Sequence, residues 1–331
     1  MTGSIARRRA RAWVSMCIAM SMAATALAAP DQEKTWSGKQ APLATPWTAE
    51  VSPGNALPEY PRPQLARPSL EHPQWMSLNG LWQYAADDGR GKPPFGQALK
   101  EQVLVPYPIE SVLSGVQKHA DYMFYRRTVE IPAAFIANGQ HVRLNFGAVS
   151  HAATVYVNGT QVAQHTGGYT SFGADITKAL RPKGPQEIVV AVHAPVDAVN
   201  IMVGKQRLKP DGIFYTAASG IWQSVWLEPV PATSLAQLNF TPARSLDAFT
   251  VTAKLQGGNG DATLHVTAYA DGKAVGEASG PAGQPLRLAI EHPHLWSPQD
   301  PFLYTFKATL TQGDQRDEAT SYAGLRSIAV E

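Results

Sequence analysis

The chain of 331 residues is long enough for two domains of ordinary size, each with its own core. Only 16% of the residues are charged, while glycine (27) and proline (26) are frequent, a composition that favours short strands and turns over long helices. Four of the 28 basic residues and no acidic residue lie in residues 1–28, which leaves 24 basic against 26 acidic residues, a net charge of −2. This balance leaves no basic stripe that would indicate nucleic acid as a partner.

Residues 1–28 predict a secretory signal peptide. Four arginines precede an apolar run from residue 12 to about residue 26, and the sequence Ala26-Leu27-Ala28 fits the small-x-small cleavage rule. We therefore expect a periplasmic or secreted protein, cleaved near Ala28 and exported by the Sec or the twin-arginine route. The run is short for a stable membrane span, and an uncleaved anchor is the alternative. Cys17, the only cysteine, lies in this segment, so the mature chain is predicted to contain no disulfide and no cysteine-ligated metal.

Residues 29–68 contain repeated prolines and little apolar periodicity. Such sequences favour extended polyproline segments, so we predict a linker or a strap lying on the next domain. Trp36 and Trp47 are either anchors of such a strap or partly exposed aromatics.

Residues 69–230 are predicted to form a β-sandwich, because short strands recur with turn signals between them. Trp82 and Tyr84 share one strand parity, and the strand at 187–192 is apolar enough to be buried on both faces. The predicted strands are residues 75–84, 103–106, 121–132, 141–146, 154–157, 160–163, 187–192 and 221–229.

The strongest local signal is a hairpin around Asn158-Gly159. This pair tolerates the positive φ angles of a two-residue type I′ turn, whose twist matches that of the flanking strands. Val155 and Val157 alternate with Tyr156, so one face of the hairpin can be buried.

Residues 231–331 repeat the pattern, and their length fits a second sandwich. Strands are predicted at 250–255, 264–269, 303–310 and 324–330, with turns at 257–261 and at Asp271-Gly272.

Several segments carry a family resemblance, and they follow one another in family order. They are residues 78–82 (LNGLW), 105–111 (VPYPIES), 124–127 (FYRR), 144–177 (with FGAV, VYVNG, HTGGYTSF and DIT), 212–228 (ending SGIWQSVWLE), 295–304 and 324–326. The chain from about residue 70 to residue 331 resembles glycoside hydrolase family 2, the family of β-galactosidases, β-glucuronidases and β-mannosidases. The resemblance implies an all-β chain, a jelly-roll (galactose-binding-like) β-sandwich over 69–230 followed by an immunoglobulin-like β-sandwich over 231–331.

Two features depart from that family. Ser150-His151 stands where many relatives have Asp-Trp. The family also places its two catalytic glutamates on a (β/α)8 barrel that follows the two β domains, and one of them lies in an Asn-Glu pair. No Asn-Glu pair occurs in this sequence.

The residues themselves indicate no catalytic equipment. A retaining glycosidase needs two carboxyl groups about 5 Å apart with substrate between them. Asp87-Asp88 is followed by Gly89, which is typical of a solvated turn, and His292-Pro293-His294 has no third metal ligand nearby. The sequence has no Gly-x-Ser-x-Gly elbow and no glycine-rich phosphate loop. We therefore predict no catalytic residue, no metal and no cofactor.

Carbohydrate binding is better supported. Sugar sites combine an aromatic ring with short polar side chains, and three loops offer them: 119–122, 167–169 and 205–211. In relatives, loops of this domain reach the rim of the barrel's active site, so the resemblance implies rim contacts for His119, Asp121 and Asp211. The alternative is that these are ordinary polar loop residues. Aromatic residues at positions 169, 222 and 226 are expected in the core rather than at a sugar.

Two hypotheses follow. In the first, the chain is the non-catalytic N-terminal part of a secreted family 2 glycoside hydrolase, and its partners are a β-glycoside or polysaccharide and a catalytic barrel domain or subunit. In the second, it is a free-standing carbohydrate-binding or adhesive module. The sequence does not identify the sugar or the oligomeric state.

Overall fold

The computed structural model describes residues 36–38, 44–59, 61, 72–258 and 261–328. The predicted signal peptide and half of the predicted linker lie outside the described residues. Two separate hydrophobic cores are present, one built from residues between Leu78 and Leu227 and the other from residues between Leu235 and Leu325.

Strands account for nearly all regular structure among the described residues. The first core is enclosed by β1 Met76–Ser77, β2 Gly80–Asp87, β3 Glu101–Val105, β4 Tyr122–Val129, β5 His141–Phe146, β6 Val149–Ser150, β7 Ala152–Val157, β8 Thr160–Thr166, β9 Phe172–Asp175, β10 Gln186–His193, β11 Gln206–Arg207, β12 Tyr215–Thr216, β13 Gly220–Ile221 and β14 Val225–Val230. The second is enclosed by β15 Ser234–Pro242, β16 Ala248–Gln256, β17 Thr263–Ala270, β18 Lys273–Pro281, β19 Leu286–Ala289, β20 Tyr304–Gln312 and β21 Gln315–Ala323. Short 3-10 helices lie at Pro46–Glu50, Val112–Ser114, Ala133–Phe135, Ala137–Gly139, Thr177–Ala179 and Val196–Ala198.

The first sandwich has two principal sheets. A six-stranded antiparallel sheet has the order β3-β2-β4-β10-β7-β8, and a four-stranded sheet has the order β1-β14-β5-β9. Two further strand pairs, β6 with β13 and β11 with β12, belong to the loops of this sandwich. This arrangement is the jelly-roll sandwich that the resemblance implied.

The core of the first sandwich follows the predicted strand parity. Trp82 and Tyr84 of β2 are each 1% exposed, and the Trp82 indole N–H donates to the Leu78 carbonyl at 2.8 Å. Tyr84 meets the fully buried Tyr125 of β4 edge-on, with ring centroids 5.7 Å apart. On β10, Val189 is buried on the outer face as the sequence predicts, but Ala191 is half-exposed.

The hairpin between β7 and β8 is confirmed. Asn158 has φ 51° and Gly159 has φ 84°, the positive angles of a type I′ turn. The Asn158 side-chain amide also donates to the Ala179 carbonyl at 2.8 Å, which ties the turn to the loop after β9. Val155 and Val157 are fully buried, and Tyr156 points to the opposite face.

The second sandwich packs a three-stranded sheet (β15-β16-β19) on a four-stranded sheet (β18-β17-β20-β21). Its core is aromatic, because Phe249 contacts Tyr304 and Phe306 edge-on at centroid distances of 5.8 and 5.2 Å. The hairpin predicted at Asp271-Gly272 is present, with φ angles of 48° and 78°. The fold is immunoglobulin-like.

The structure corrects several strand predictions. Residues 324–328 form no strand; Leu325 is fully buried and its carbonyl accepts a hydrogen bond from Trp296 N at 3.0 Å, so this segment fills the core rather than extending a sheet. The predicted strand at 221–229 is interrupted at 222–224. Strands β15, β18, β19 and β21 were not predicted from the sequence.

The two predicted strap tryptophans differ. Trp47 is 68% exposed, whereas Trp36 lies so close to Gly115 that an added Cβ there would be 2.7 Å from the indole ring. Trp36 therefore docks on the first sandwich and Trp47 does not.

A buried charged group joins the two sandwiches. His72 Nδ1 lies 3.2 Å from Glu228 Oε2 on β14, and His72 Nε2 lies 3.5 Å from Asp317 Oδ1 on β21. All three side chains are at most 7% exposed. The second carboxylate oxygens are also held, because Trp226 Nε1 donates to Glu228 at 2.6 Å and Leu235 N donates to Asp317 at 2.7 Å.

Candidate functional site

A charged cluster lies beside the start of β4. His119 Nδ1 is 2.8 Å from Glu110 Oε1, and His119 Nε2 is 2.8 Å from Asp121 Oδ1. The Glu110 side chain is 5% exposed, that of His119 is 26% exposed and that of Asp121 is 53% exposed. The imidazole thus connects a buried carboxylate to one at the surface.

Ser219 fixes the inner end of this cluster. Its backbone N–H donates to Glu110 Oε2 at 2.9 Å, and its carbonyl accepts from Ile109 N at 3.2 Å. Its hydroxyl oxygen lies 3.4 Å from His119 Nδ1, and the residue is fully buried. The segment before β13 therefore positions Glu110 from the opposite side.

The environment favours the charged forms of the inner pair. The hydrogen bond to Glu110 raises the pKa of His119 above its usual 6.5, against the effect of burial and with a further contribution from Asp121. Burial alone would raise the pKa of the Glu110 carboxyl, but hydrogen bonds from His119 and Ser219 outweigh it and lower the pKa. The cluster is therefore best described as an imidazolium held between carboxylates.

This geometry suits recognition better than bond cleavage. In a retaining glycosidase the substrate lies between two carboxyl groups. Here the imidazole of His119 fills the space between Glu110 and Asp121 and bonds to both. The exposed carboxylate of Asp121 can accept hydrogen bonds from sugar hydroxyls, and the partly exposed imidazolium edge contributes a positive charge.

The other two loops meet at residues 218–222, which include β13 and its neighbours on either side. The Gln206 amide donates to the Tyr169 hydroxyl at 3.2 Å, and its Oε1 accepts from Ala218 N at 2.8 Å. Trp222 Nε1 donates to the Gly168 carbonyl at 2.7 Å. Since Ser219 belongs to the same segment, all three candidate loops are connected through residues 218–222.

Asp211 is separate from the cluster. Its carboxylate accepts a hydrogen bond from Gly212 N at 2.8 Å, and within the described residues it forms no hydrogen bond or ion pair with His119 or Asp121. Apolar side chains on either side of its loop are exposed, with Met202 80% exposed and Ile213 68% exposed. The structure thus brings together two of the three predicted rim residues.

The aromatic residues divide between core and loop. Trp226 is 7% exposed, as expected of a core residue. Tyr169 and Trp222 are half-buried and contact each other edge-on at 6.0 Å, so they support the loops rather than the core.

Glu110 and Ser219 were not predicted as site residues. Both lie in segments that carry the family resemblance, residues 105–111 and 212–228, but nothing in either segment showed that they meet. The available signal was position: Glu110 directly follows Ile109, and Ser219 lies two residues before Ile221, and both isoleucines enter the core.

No metal site is evident in the part of the chain that the structure describes, since no group of three or more His, Cys, Asp or Glu side chains there could hold an ion. His294 instead bonds to Asp300 at 2.7 Å and stacks on Phe302 at 4.1 Å. Asp87-Asp88 forms the predicted turn, with Asp88 exposed. Across the described ranges, no helix has the length and apolar character needed to cross a membrane.

Known families match both sandwiches. The model described as "Glycosyl hydrolases family 2, sugar binding domain" matches residues 95–231, and the model described as "Glycosyl hydrolases family 2" matches residues 223–326. The two tandem β domains thus define the chain as part of a carbohydrate-active class of protein. The chain belongs to glycoside hydrolase family 2.

Curated relatives agree with this assignment. The chain is 24% identical to a β-glucuronidase of Paenibacillus borealis over 277 residues, covering 77% of this chain and 46% of the relative. It is 25% identical to a β-galactosidase of Thermoanaerobacter pseudethanolicus, covering 76% of this chain and 35% of the relative. A solved structure, the β-glucuronidase from Ruminococcus gnavus in complex with D-glucuronic acid, matches with a TM-score of 0.65 at 21% identity, over 81% of this chain and 48% of that one. The chain therefore spans less than half the length of these relatives.

Proposed function

We propose that this chain is the non-catalytic N-terminal part of an exported β-glycosidase of family 2, and that it shapes the rim of a substrate site whose catalytic carboxyl pair lies in another part of the enzyme. The observation that carries the proposal is the coverage: both matched models describe β domains, while the relatives are about twice as long. β-Glucuronides are the first substrates to test, because several of the similar curated proteins are β-glucuronidases.

The charged cluster provides the contact surface in this proposal. Asp121 and His119 face the substrate, and buried Glu110 holds His119 in place. Asp211 makes a further contact from its own loop, whose exposed apolar side chains pack on the catalytic part of the enzyme. The basic and apolar leader at residues 1–28, which lies outside the described residues, would direct export to the periplasm or the medium.

Two experiments test the proposal. The first reads the gene beyond the codon for Glu331: sequence encoding a barrel in any frame supports the proposal, and its absence counts against it. The second assays the highly purified chain with chromogenic β-D-glucuronide and β-D-galactoside. We expect no turnover, and turnover that co-purifies with the chain and survives a second purification would refute a non-catalytic role.

A second candidate function is a free-standing carbohydrate-binding module. It is favoured by a groove on the first sandwich, described next, which does not involve the charged cluster.

A further inference from the structure

The outer face of the six-stranded sheet contains a groove of about 270 Å³. Its floor is formed by β4, β10, β7 and β8, and one side is formed by the loop that follows β2, residues 87–93. We refer to it as the sheet groove. Its volume is close to the lower end of small-molecule sites, about 300 Å³.

The register of the strands explains why this face is hollow. Across the sheet, Phe124 pairs with Ala191, Ala191 pairs with Thr154, and Thr154 pairs with Gln164. These residues form one row on the outer face, because side chains alternate along each strand. Ala191 at the centre of the row is the smallest of them, so the row dips between its neighbours.

Aromatic pairs stand on either side of this row. In the next row, Tyr122 and His193 stack face to face, with ring centroids 4.2 Å apart and planes 3° apart. On the other side, Tyr156 meets Phe95 edge-on at 5.2 Å. Same-face rows are about 7 Å apart along a strand, so the rows that carry the two pairs are about 14 Å apart, with the Ala191 row between them.

The loop beside the groove is held in place before any ligand binds. Asp87 Oδ2 accepts hydrogen bonds from Gly89 N at 2.8 Å and Gly91 N at 3.1 Å. Gly89 has φ +83°, and a Cβ there would lie 2.9 Å from the Tyr122 ring, so the loop packs directly on the aromatic wall. A preformed wall reduces the conformational entropy lost on binding.

The polar lining of the sheet groove points to hydroxyl groups. Within the described residues, the Thr154 hydroxyl and the Gln164 amide have no protein hydrogen-bond partner, and Gln164 is exposed. The lining contains one carboxylate, that of Asp87, and no lysine or arginine. Arg126, on the same face of β4, is bonded to Glu187 at 2.6 Å. The one basic side chain of the lining is that of His193, which stacks on Tyr122, while Arg90 and Lys92 belong to the adjoining loop but not to the lining. An anionic ligand would therefore meet the Asp87 carboxylate and no lysine or arginine in the groove.

From this arrangement we propose that the sheet groove binds an uncharged pyranose unit of a glycan. The apolar face of the sugar packs against Phe124 and the aromatic walls, and its hydroxyls bond to Thr154 and Gln164. The site is separate from the charged cluster and takes a neutral sugar, unlike the D-glucuronic acid bound by the Ruminococcus gnavus relative. Because this chain alone forms the groove, a failure of this proposal would leave the proposed function unaffected, and the reverse is also true.

The test is binding of lactose, cellobiose and mannobiose to the purified chain, followed by isothermal titration calorimetry and by 1H–15N chemical shifts, with D-glucuronic acid as the charged comparison. We expect at least one neutral disaccharide to bind and glucuronic acid to bind at least tenfold more weakly. Gln164→Ala should weaken binding about five- to tenfold, since it removes one hydrogen-bonding side chain. Ala191→Leu should abolish binding by filling the dip.

Gln161→Ala is the matched control, because it removes an exposed glutamine from the same strand outside the groove lining. It should leave the affinity unchanged. The proposal is overturned if none of the three disaccharides binds, if glucuronic acid binds as tightly, or if Gln164→Ala binds as the unmodified chain does. Self-association in sedimentation velocity that Gln164→Ala reverses would also overturn it, since a second copy would then occupy the groove. Gln164→Ala serves as the decisive variant should Ala191→Leu fail to fold.

Discussion

Replacing His72 by glutamine tests the junction between the two sandwiches. His72 is enclosed by Glu228 and Asp317, whose carboxylate oxygens lie 3.2 and 3.5 Å from its two ring nitrogens. Burial alone would lower the pKa of His72, but the bonding and charge of the two carboxylates outweigh it and raise the pKa to about 10. Glutamine keeps a polar side chain of similar reach and removes the positive charge.

The expected cost follows from that pKa. A rise from 6.5 to about 10 corresponds to about 4 kcal/mol of folding free energy at pH 7. Removing one member of a buried ion pair costs about 3 to 5 kcal/mol by independent measurements on other proteins, which agrees. Because the folded-state pKa is raised, this contribution is complete below pH 6.5 and is lost as the pH rises through about 10.

Urea unfolding followed by far-UV circular dichroism measures the effect. We expect His72→Gln to lower the free energy of unfolding by about 3 to 5 kcal/mol at pH 7 and by less than about 1 kcal/mol near pH 10.5. The control is His294→Gln, which removes an exposed histidine from its ion pair with Asp300 and should cost no more than about 1 kcal/mol. A loss below about 1 kcal/mol at pH 7, or an equal loss at both pH values, would refute the reasoning.

Four further substitutions test individual contacts in the two sandwiches and in the charged cluster. Gly220→Ala should cost at least about 2 kcal/mol in urea unfolding, since φ is +83° and the new Cβ would lie 1.9 Å from a buried tyrosine hydroxyl. Gly272→Ala, at φ +78° in open space, should cost only about 1 kcal/mol; equal costs would contradict the close contact. Phe249→Ala should cost about 3 to 5 kcal/mol, because its fully buried ring fills the second core. By NMR titration, His119 should have a pKa above 6.5, and this pKa should fall in Glu110→Gln. The stabilisation of the fold by the charged pair should decline as the pH rises through the raised pKa of His119. An unchanged His119 titration in the variant would exclude the pairing.

The parts of the fold that were predictable have local causes. Asn158-Gly159 and Asp271-Gly272 specify their hairpins because the residues themselves tolerate positive φ angles. Trp82 and Tyr84 were placed on one face of a strand from parity alone, and both are buried. Each inference needed only residues that are neighbours in sequence.

The missed parts depend on pairings over long sequence separations. Nothing near Glu110 in sequence reveals that Ser219 will donate to it, because the pairing arises only when β13 docks beside the loop that follows β3. His72 was likewise unremarkable until the structure placed Glu228 and Asp317 on either side of it. Residues 324–328 alternate like a strand, but Leu325 enters the core with its carbonyl bonded to a loop instead of a strand.

The two proposed sugar contacts are adjacent in the chain. Asp121 belongs to the charged cluster and Tyr122, the next residue, begins β4 and forms a wall of the sheet groove. Their Cα atoms are about 3.8 Å apart, and the Asp121 carbonyl accepts a hydrogen bond from Ala194 N at 2.6 Å, directly after the His193 that stacks on Tyr122. The two proposed sites therefore share a stretch of backbone at the start of β4. Because consecutive side chains of a strand point to opposite faces, the two sites remain separate, in agreement with a groove that is tested independently of the cluster.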